Sequence, residues 1–176
     1  MIPENIDIDI SCQSELWTEY CSEYTGLMES CFAQIIKLVP EAEFFKIFPH
    51  LELSILLTDD QNIRQLNKEY RGRDKATNVL SFPSLSYDDI QNHQRPDCEI
   101  PEYPVVLGDI IFAFETIRGE ASAQNKSFSD HFCHLFIHGM LHLLGYDHAV
   151  DIEAQGMEAL EKELLLKLSI DDPYQD

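Results

Sequence analysis

The segment from His138 to His148, HGMLHLLGYDH, constrains this chain more than any other. On a helix, residues four apart lie one above the other, roughly 5–6 Å between Cβ atoms. His138 and His142 can therefore present imidazole nitrogens to one metal ion at about 2.0–2.1 Å. Gly145 lacks a Cβ and can take the left-handed conformation that ends a helix and turns the chain back. That turn carries His148 round as a third ligand, which a continuous helix would place nearly three turns further along. Three protein ligands leave the fourth tetrahedral position open, the layout of a catalytic zinc site.

The spacing matches the H-E-x-x-H-x-x-G-x-x-H skeleton of extended zinc peptidases with one departure. Where those enzymes carry the Glu that serves as general base, this chain has Gly139. The metal cage is there and the peptidase's proton shuttle is not. His134, one turn before His138, lies on the same helix face and reads as an orienting or packing residue rather than a fourth ligand. Asp147 and Asp109 are candidates for hydrogen bonds to a ligand imidazole, and the residue pattern does not choose between them.

At 176 residues the chain reads as one domain spanning 1–176, large enough for a proper core. Hydrophobic content of 44% excludes wholesale disorder. No apolar run approaches the ~20 residues needed to cross a bilayer, and MIPENIDIDI has neither the basic nor the apolar region of a signal peptide. The cysteines Cys12, Cys21, Cys31, Cys98 and Cys133 are scattered without a CxxC pair, as free thiols in a reducing compartment would be. A cytoplasmic location is expected, with no membrane partner.

The net charge of −20 opposes nucleic-acid binding at face value, because phosphate contacts need Lys and Arg. The distribution softens this. Arg64, Lys68, Arg71, Arg73 and Lys75 are five of the twelve basic residues and fall within one short stretch. They allow a local basic patch on an acidic body.

Along the chain, Ile and Asp alternate from Ile6 to Ile10 with the period of a half-exposed strand. A helix is predicted from Ser14 to Leu38, weakened at Gly26 and followed by Pro40. His50 to Thr58 is a strand, and Asp59–Asp60 offers the cap of a helix through Ile63, Leu66 and Tyr70. Arg71 to Lys75 reads as a tight basic loop, and Thr77 to Pro83 as a short strand closed by proline. Residues 84–104 are polar and aperiodic, and read as a mobile loop. Val105 to Phe114 is a strand, and Phe114 to Gln124 a short helix. Ser127 or Ser129 caps the histidine helix, and Ile152 to Leu168 is amphipathic. The order β-α-β-α-β-β-α-α-α predicts an α/β layer fold, α+β-like: one small mixed sheet with helices packed mainly on one face and the metal site on a helix–turn.

These segments resemble the YbeY-type endoribonucleases that act in ribosomal RNA maturation. The resemblance rests on HGMLHLLGYDH at 138–148, YRGRDKATNVLSFP at 70–83, LGDI at 107–110 and DPY at 172–174. It covers roughly residues 50 to 174, leaving the N-terminal segment and 84–104 less like the family's usual pattern. TNVLSFP is independent support, since zinc ligation does not require it. The resemblance implies zinc on His138, His142 and His148, one ion per chain, and a functional arginine at Arg71. It also implies single-stranded RNA as substrate, 16S rRNA 3′ end maturation and quality control as the setting, and the small ribosomal subunit or its proteins as partners, with no role for DNA.

The residue chemistry agrees with that activity. A zinc ion lowers the pKa of its water to about 7. A guanidinium at Arg71 can bond two phosphate oxygens at once without deprotonating. Two other classes stay open: a metallopeptidase or other zinc hydrolase, opposed by Gly139, and a non-catalytic ribosome-assembly factor with structural zinc, favoured by the net charge.

Overall fold

A computed structural model of the chain describes residues 2–147 and 151–175, with side chains in the second span described from 155 onward. His148 therefore lies outside the described residues. Among the described residues four strands form one sheet: β1 (Ile6–Cys12), β2 (Leu51–Thr58), β3 (Val79–Pro83) and β4 (Val105–Ala113), in the order β1-β2-β4-β3. The first three in that order run parallel, and β3 runs antiparallel to β4 at the edge. Among the described residues seven α-helices accompany it: α1 (Glu15–Tyr20), α2 (Tyr24–Leu38), α3 (Asp60–Arg71), α4 (Tyr87–His93), α5 (Phe114–Ala123), α6 (Phe128–Leu143) and α7 (Asp151–Lys167). This is the small mixed sheet expected from the sequence.

The period-2 pattern decides which face is dry. Leu51, Leu53, Ile55 and Leu57 of β2 are all buried beneath α2 and α6, together with Ile110 and Phe112 of β4. Phe32, Phe132 and Phe136 pack against them. The opposite face carries Asp7, Asp9, Ser54 and Asp109 and is covered only in part, by α3 through Ile63 and Leu66 on Leu80 and Ile111. Helices thus lie mainly on one face. β4 changes register at Gly108, which stands at φ +142° and whose added Cβ would meet the Phe82 carbonyl at 2.3 Å. Only glycine fits there.

Three local expectations change. The helix expected over 14–38 is two helices, because Trp17 is fully buried and donates its indole N–H to the Thr58 carbonyl at 2.9 Å. That anchor fixes α1, and the chain bends at Cys21 so that α2 can turn Met28, Cys31, Phe32 and Ile35 to the core. Pro40 does not merely end a helix but starts a 3-10 turn over Pro40–Lys46, where its missing N–H costs nothing. Residues 84–104 hold an ordered helix. In α4 the Ser86 hydroxyl accepts from Asp89 N–H, and the Asp89 carboxylate accepts from Ser86 N–H. Ile90 is buried, the His93 ring packs 5.1 Å from Phe44 and 4.7 Å from Phe48, and the Gln94 amide donates to the Glu41 carbonyl at 2.9 Å. A seven-residue helix with one buried apolar side chain leaves no period to read.

Candidate active site

Ser127 caps α6, its hydroxyl accepting from Asp130 N–H at 3.0 Å. The helix then runs through the middle of the fold, and its apolar sides are covered by the sheet, α2 and α5. His131, His134, His138 and His142 recur at spacings of three and four residues, and so share one stripe along it.

At the end of that stripe, the Nε2 atoms of His138 and His142 stand 3.0 Å apart. The other nitrogen of each ring is already engaged. His138 Nδ1–H donates to Glu161 Oε1 at 2.6 Å, and His142 Nδ1–H donates to the Tyr146 carbonyl at 2.9 Å. These contacts put the proton of each neutral ring on Nδ1 and turn both Nε2 lone pairs to a common point. Two lone pairs converging so closely repel one another unless a cation lies against both. Orientation of a ligand histidine through its far nitrogen is what metal sites use. The imidazole pair therefore fits zinc. Among the described residues no three His, Cys, Asp or Glu side chains converge as a complete metal site; the expected third ligand, His148, is outside them.

Gly145 has φ +93°, the left-handed turn expected of it. The turn is clamped by Tyr146, whose hydroxyl donates to Glu41 at 2.6 Å. Burial, joined by that carboxylate, pushes the Tyr146 phenol well up from its ordinary value.

Glu161 was not legible in the sequence, where it is one acid among many on an amphipathic helix. In the fold α7 lies against α6, and Glu161 has no solvent exposure. Its carboxylate accepts from His138, from His134 Nε2–H at 3.1 Å and from the Tyr174 hydroxyl. Burial works against its charge, but the hydrogen bonds from His134, His138 and Tyr174 outweigh it and hold the pKa at about 2. His134 thus holds the carboxylate that bonds His138. Tyr174 also packs edge-on to the His134 ring at 5.5 Å. The DPY tail is held in place by Lys162 on Asp172 at 3.5 Å and by Lys126 on the Pro173 carbonyl at 3.4 Å. Further up the stripe, Glu120 bonds His131 at 2.7 Å and the Asn78 amide at 3.0 Å, tying α5, α6 and the start of β3 together.

A cavity of about 720 Å³ opens over the imidazole pair. His138, His142 and Asp147 line it together with Arg71, Arg73 and Lys75. Arg71 is the last residue of α3 rather than a loop residue, and Gly72, at φ +68°, ends the helix behind it. One guanidinium N–H donates to the Ser81 carbonyl at 2.9 Å, and the group lies 5.1 Å over the Phe82 ring. Its other donors are not consumed by that contact. Arg64 and Lys68 do not join this wall, because Asp74 pairs with both, at 2.8 and 3.4 Å.

Two further candidates separate. Asp147 lines the cavity, whereas Asp109 lies on the outer face of the sheet beside Asp9 and Ser54, across β4 from the histidines. The partners of the His138 and His142 rings are the Glu161 carboxylate and the Tyr146 carbonyl, not Asp109. Gly139 faces the sheet. A Cβ there would stand 3.0 Å from Ile110 Cγ2 and 3.1 Å from Ser81 Oγ, so the position of the peptidase's Glu is filled by packing.

Comparison with known proteins agrees with these features. The family model described as "Endoribonuclease YbeY" matches residues 18–169. That span reaches further toward the N-terminus than the motifs alone and takes in 84–104. Proteins named "Endoribonuclease YbeY" are similar to this chain: one from Paramagnetospirillum magneticum is 53% identical over 70% of this chain and 71% of its own length. Another, from Agrobacterium fabrum, is 41% identical over 96% of this chain and 95% of its own. A third, from Methylocella silvestris, is 43% identical over 96% and 86%. The solution structure of a Thermotoga maritima protein shares the fold, with a TM-score of 0.54 at 19% identity, covering 97% of this chain and all of that one. With a family model spanning most of its length and relatives matched almost end to end, the chain belongs to the endoribonuclease YbeY family.

Proposed function

We propose that this protein is a zinc-dependent endoribonuclease that cuts single-stranded RNA, acting in the cytoplasm on 16S rRNA 3′ ends together with the small ribosomal subunit. The family makes it an enzyme, a hydrolase of the endoribonuclease class. The observation that carries the reading is that the convergent Nε2 pair and the basic residues Arg71, Arg73 and Lys75 line one cavity. That pairing suits a phosphodiester. The five free thiols suit a reducing compartment, and among the described residues no helix is long and apolar enough to cross a membrane.

His138 and His142, with His148, would hold the zinc ion. When bound, zinc supplies Lewis acidity and brings the pKa of water toward neutrality. Glu161 and the Tyr146 carbonyl fix the orientation of the two rings by accepting from Nδ1, which leaves each Nε2 free to face the metal. Arg71 grips the scissile phosphate, its plane set by Ser81 and Phe82, and its charge opposes the negative charge that builds on the non-bridging oxygens. Arg73 and Lys75 attract the flanking backbone. A net charge of −20 then repels RNA elsewhere and leaves this cavity as the place of approach.

The test is incubation of purified protein with labelled RNA and with casein, each with and without chelator. Chelator-sensitive cutting of RNA alone is expected. Cutting of casein would restore the peptidase, and loss of neither substrate by zinc-loaded protein would favour a structural assembly factor.

A further inference from the structure

α4 brings one more side chain to the cavity. Tyr87 lines it beside Gly145 and Tyr146, with its ring carbon Cδ2 3.6 Å from where a Cβ on Gly145 would stand. A buried aromatic would be core, but Tyr87 is 64% exposed. It is also not on a loose loop. Ile90 is buried, His93 is packed between Phe44 and Phe48, and Gln94 bonds the Glu41 carbonyl. Glu41 in turn accepts from Tyr146, in the turn that orients His142. The ring is therefore carried on the same rigid body as the imidazole pair.

We propose that Tyr87 is a base-stacking residue, and that a nucleobase unstacked from its strand lies on its ring while the adjoining backbone is held by Arg71, Arg73 and Lys75. This rests on the endoribonuclease reading and deepens it by supplying the source of single-strand selectivity. Recognition of single strands combines a positive wall for the backbone with aromatic faces for bases, and tolerates sequence because every base has such a face. A base held in a duplex has both faces covered and cannot offer one. One cavity holds both elements and the histidines: cations from the end of α3 and the chain that follows it, and an exposed ring from the start of α4.

The experiment uses the full chain and a labelled, short single-stranded oligouridylate. Affinity is read by fluorescence anisotropy in chelator, and KM and kcat separately in zinc. Tyr87→Ala should weaken binding and raise KM about ten-fold, the scale of one lost base–aromatic stack, with a smaller change in kcat. Tyr87→Phe should match the native protein, because stacking does not need the hydroxyl. Zinc content and thermal midpoint serve as folding controls. RNA carrying an abasic nucleotide along its length should narrow the gap between native and Tyr87→Ala protein at one position of the gap. If native protein binds RNA as described but cuts none, the catalytic reading fails and the stacking stands. If native protein cuts RNA and Tyr87→Ala keeps its Kd and KM, the stacking fails and the catalytic reading stands. Equal damage from Tyr87→Phe and Tyr87→Ala would also overturn it, since the hydroxyl would then be the contact. Failure of the native protein to bind RNA sinks both.

Discussion

Replacing Glu161 with Gln keeps the shape of the buried group and removes its charge. In the native fold the carboxylate accepts three hydrogen bonds, from His138, His134 and Tyr174, with no solvent to replace any of them. An amide has one acceptor oxygen. If that oxygen stays on His138, the NH2 group faces His134 Nε2, and the His134 proton must move to Nδ1. That nitrogen is buried and has no partner, so the cost is only transferred. Tyr174 can rotate its hydroxyl to accept, and so loses less. Hydrogen bonds to a charged group are worth about 1.5–3 kcal/mol each; with one fully lost and the others weakened, Glu161→Gln should cost about 3 kcal/mol of stability. Zinc affinity should fall by about 10–100-fold, the usual effect of losing the partner that orients a ligand histidine. Chemical denaturation of metal-free protein reads the first effect, and competition with a chromophoric chelator reads the second. A variant with native denaturation midpoint and native zinc affinity would show that the carboxylate neither supports the fold nor sets His138, and the account of the site would be wrong.

Purified protein should carry about one zinc per chain, and His138→Ala or His142→Ala should lose most of it by elemental analysis; full occupancy in both would mean the site is misassigned. Arg71→Ala should keep zinc and fold while cutting RNA cleavage by about 10²-fold or more, the scale of one preorganised donor. Arg71→Lys should recover only part, since an ammonium cannot make the two-pronged contact, and unchanged cleavage at saturating RNA would reduce Arg71 to a surface charge. Replacing Arg73 and Lys75 together should instead weaken RNA binding and flatten its salt dependence, seen by titration at several ionic strengths. Gly139→Glu should not create a peptidase: its Cβ would press on Ile110 and Ser81, and overpacking of this kind should lower the thermal midpoint by about 5–10 °C, with casein left intact.

What the sequence determined by itself is what depends on neighbours along the chain. The pairing of His138 with His142 follows from helical spacing, the left-handed turn at Gly145 from the missing Cβ, and β2 from its alternating leucines. In each case the period or the special residue carries the physical cause. Tertiary structure decided whatever depends on distant segments. Tyr87 gains its place because α4, short and aperiodic, is moored by contacts to a 3-10 turn more than forty residues earlier. Asp109 is kept away from the histidine pair because the bulge beside Gly108 sets which face of β4 it occupies. Arg71 shares a cavity with the histidines because the end of α3 is bonded to Ser81 of β3, the strand that packs on α6. Glu161 looks like any acid on a helix surface until α7 is laid on α6, since charge is written in the sequence but the water around it is not.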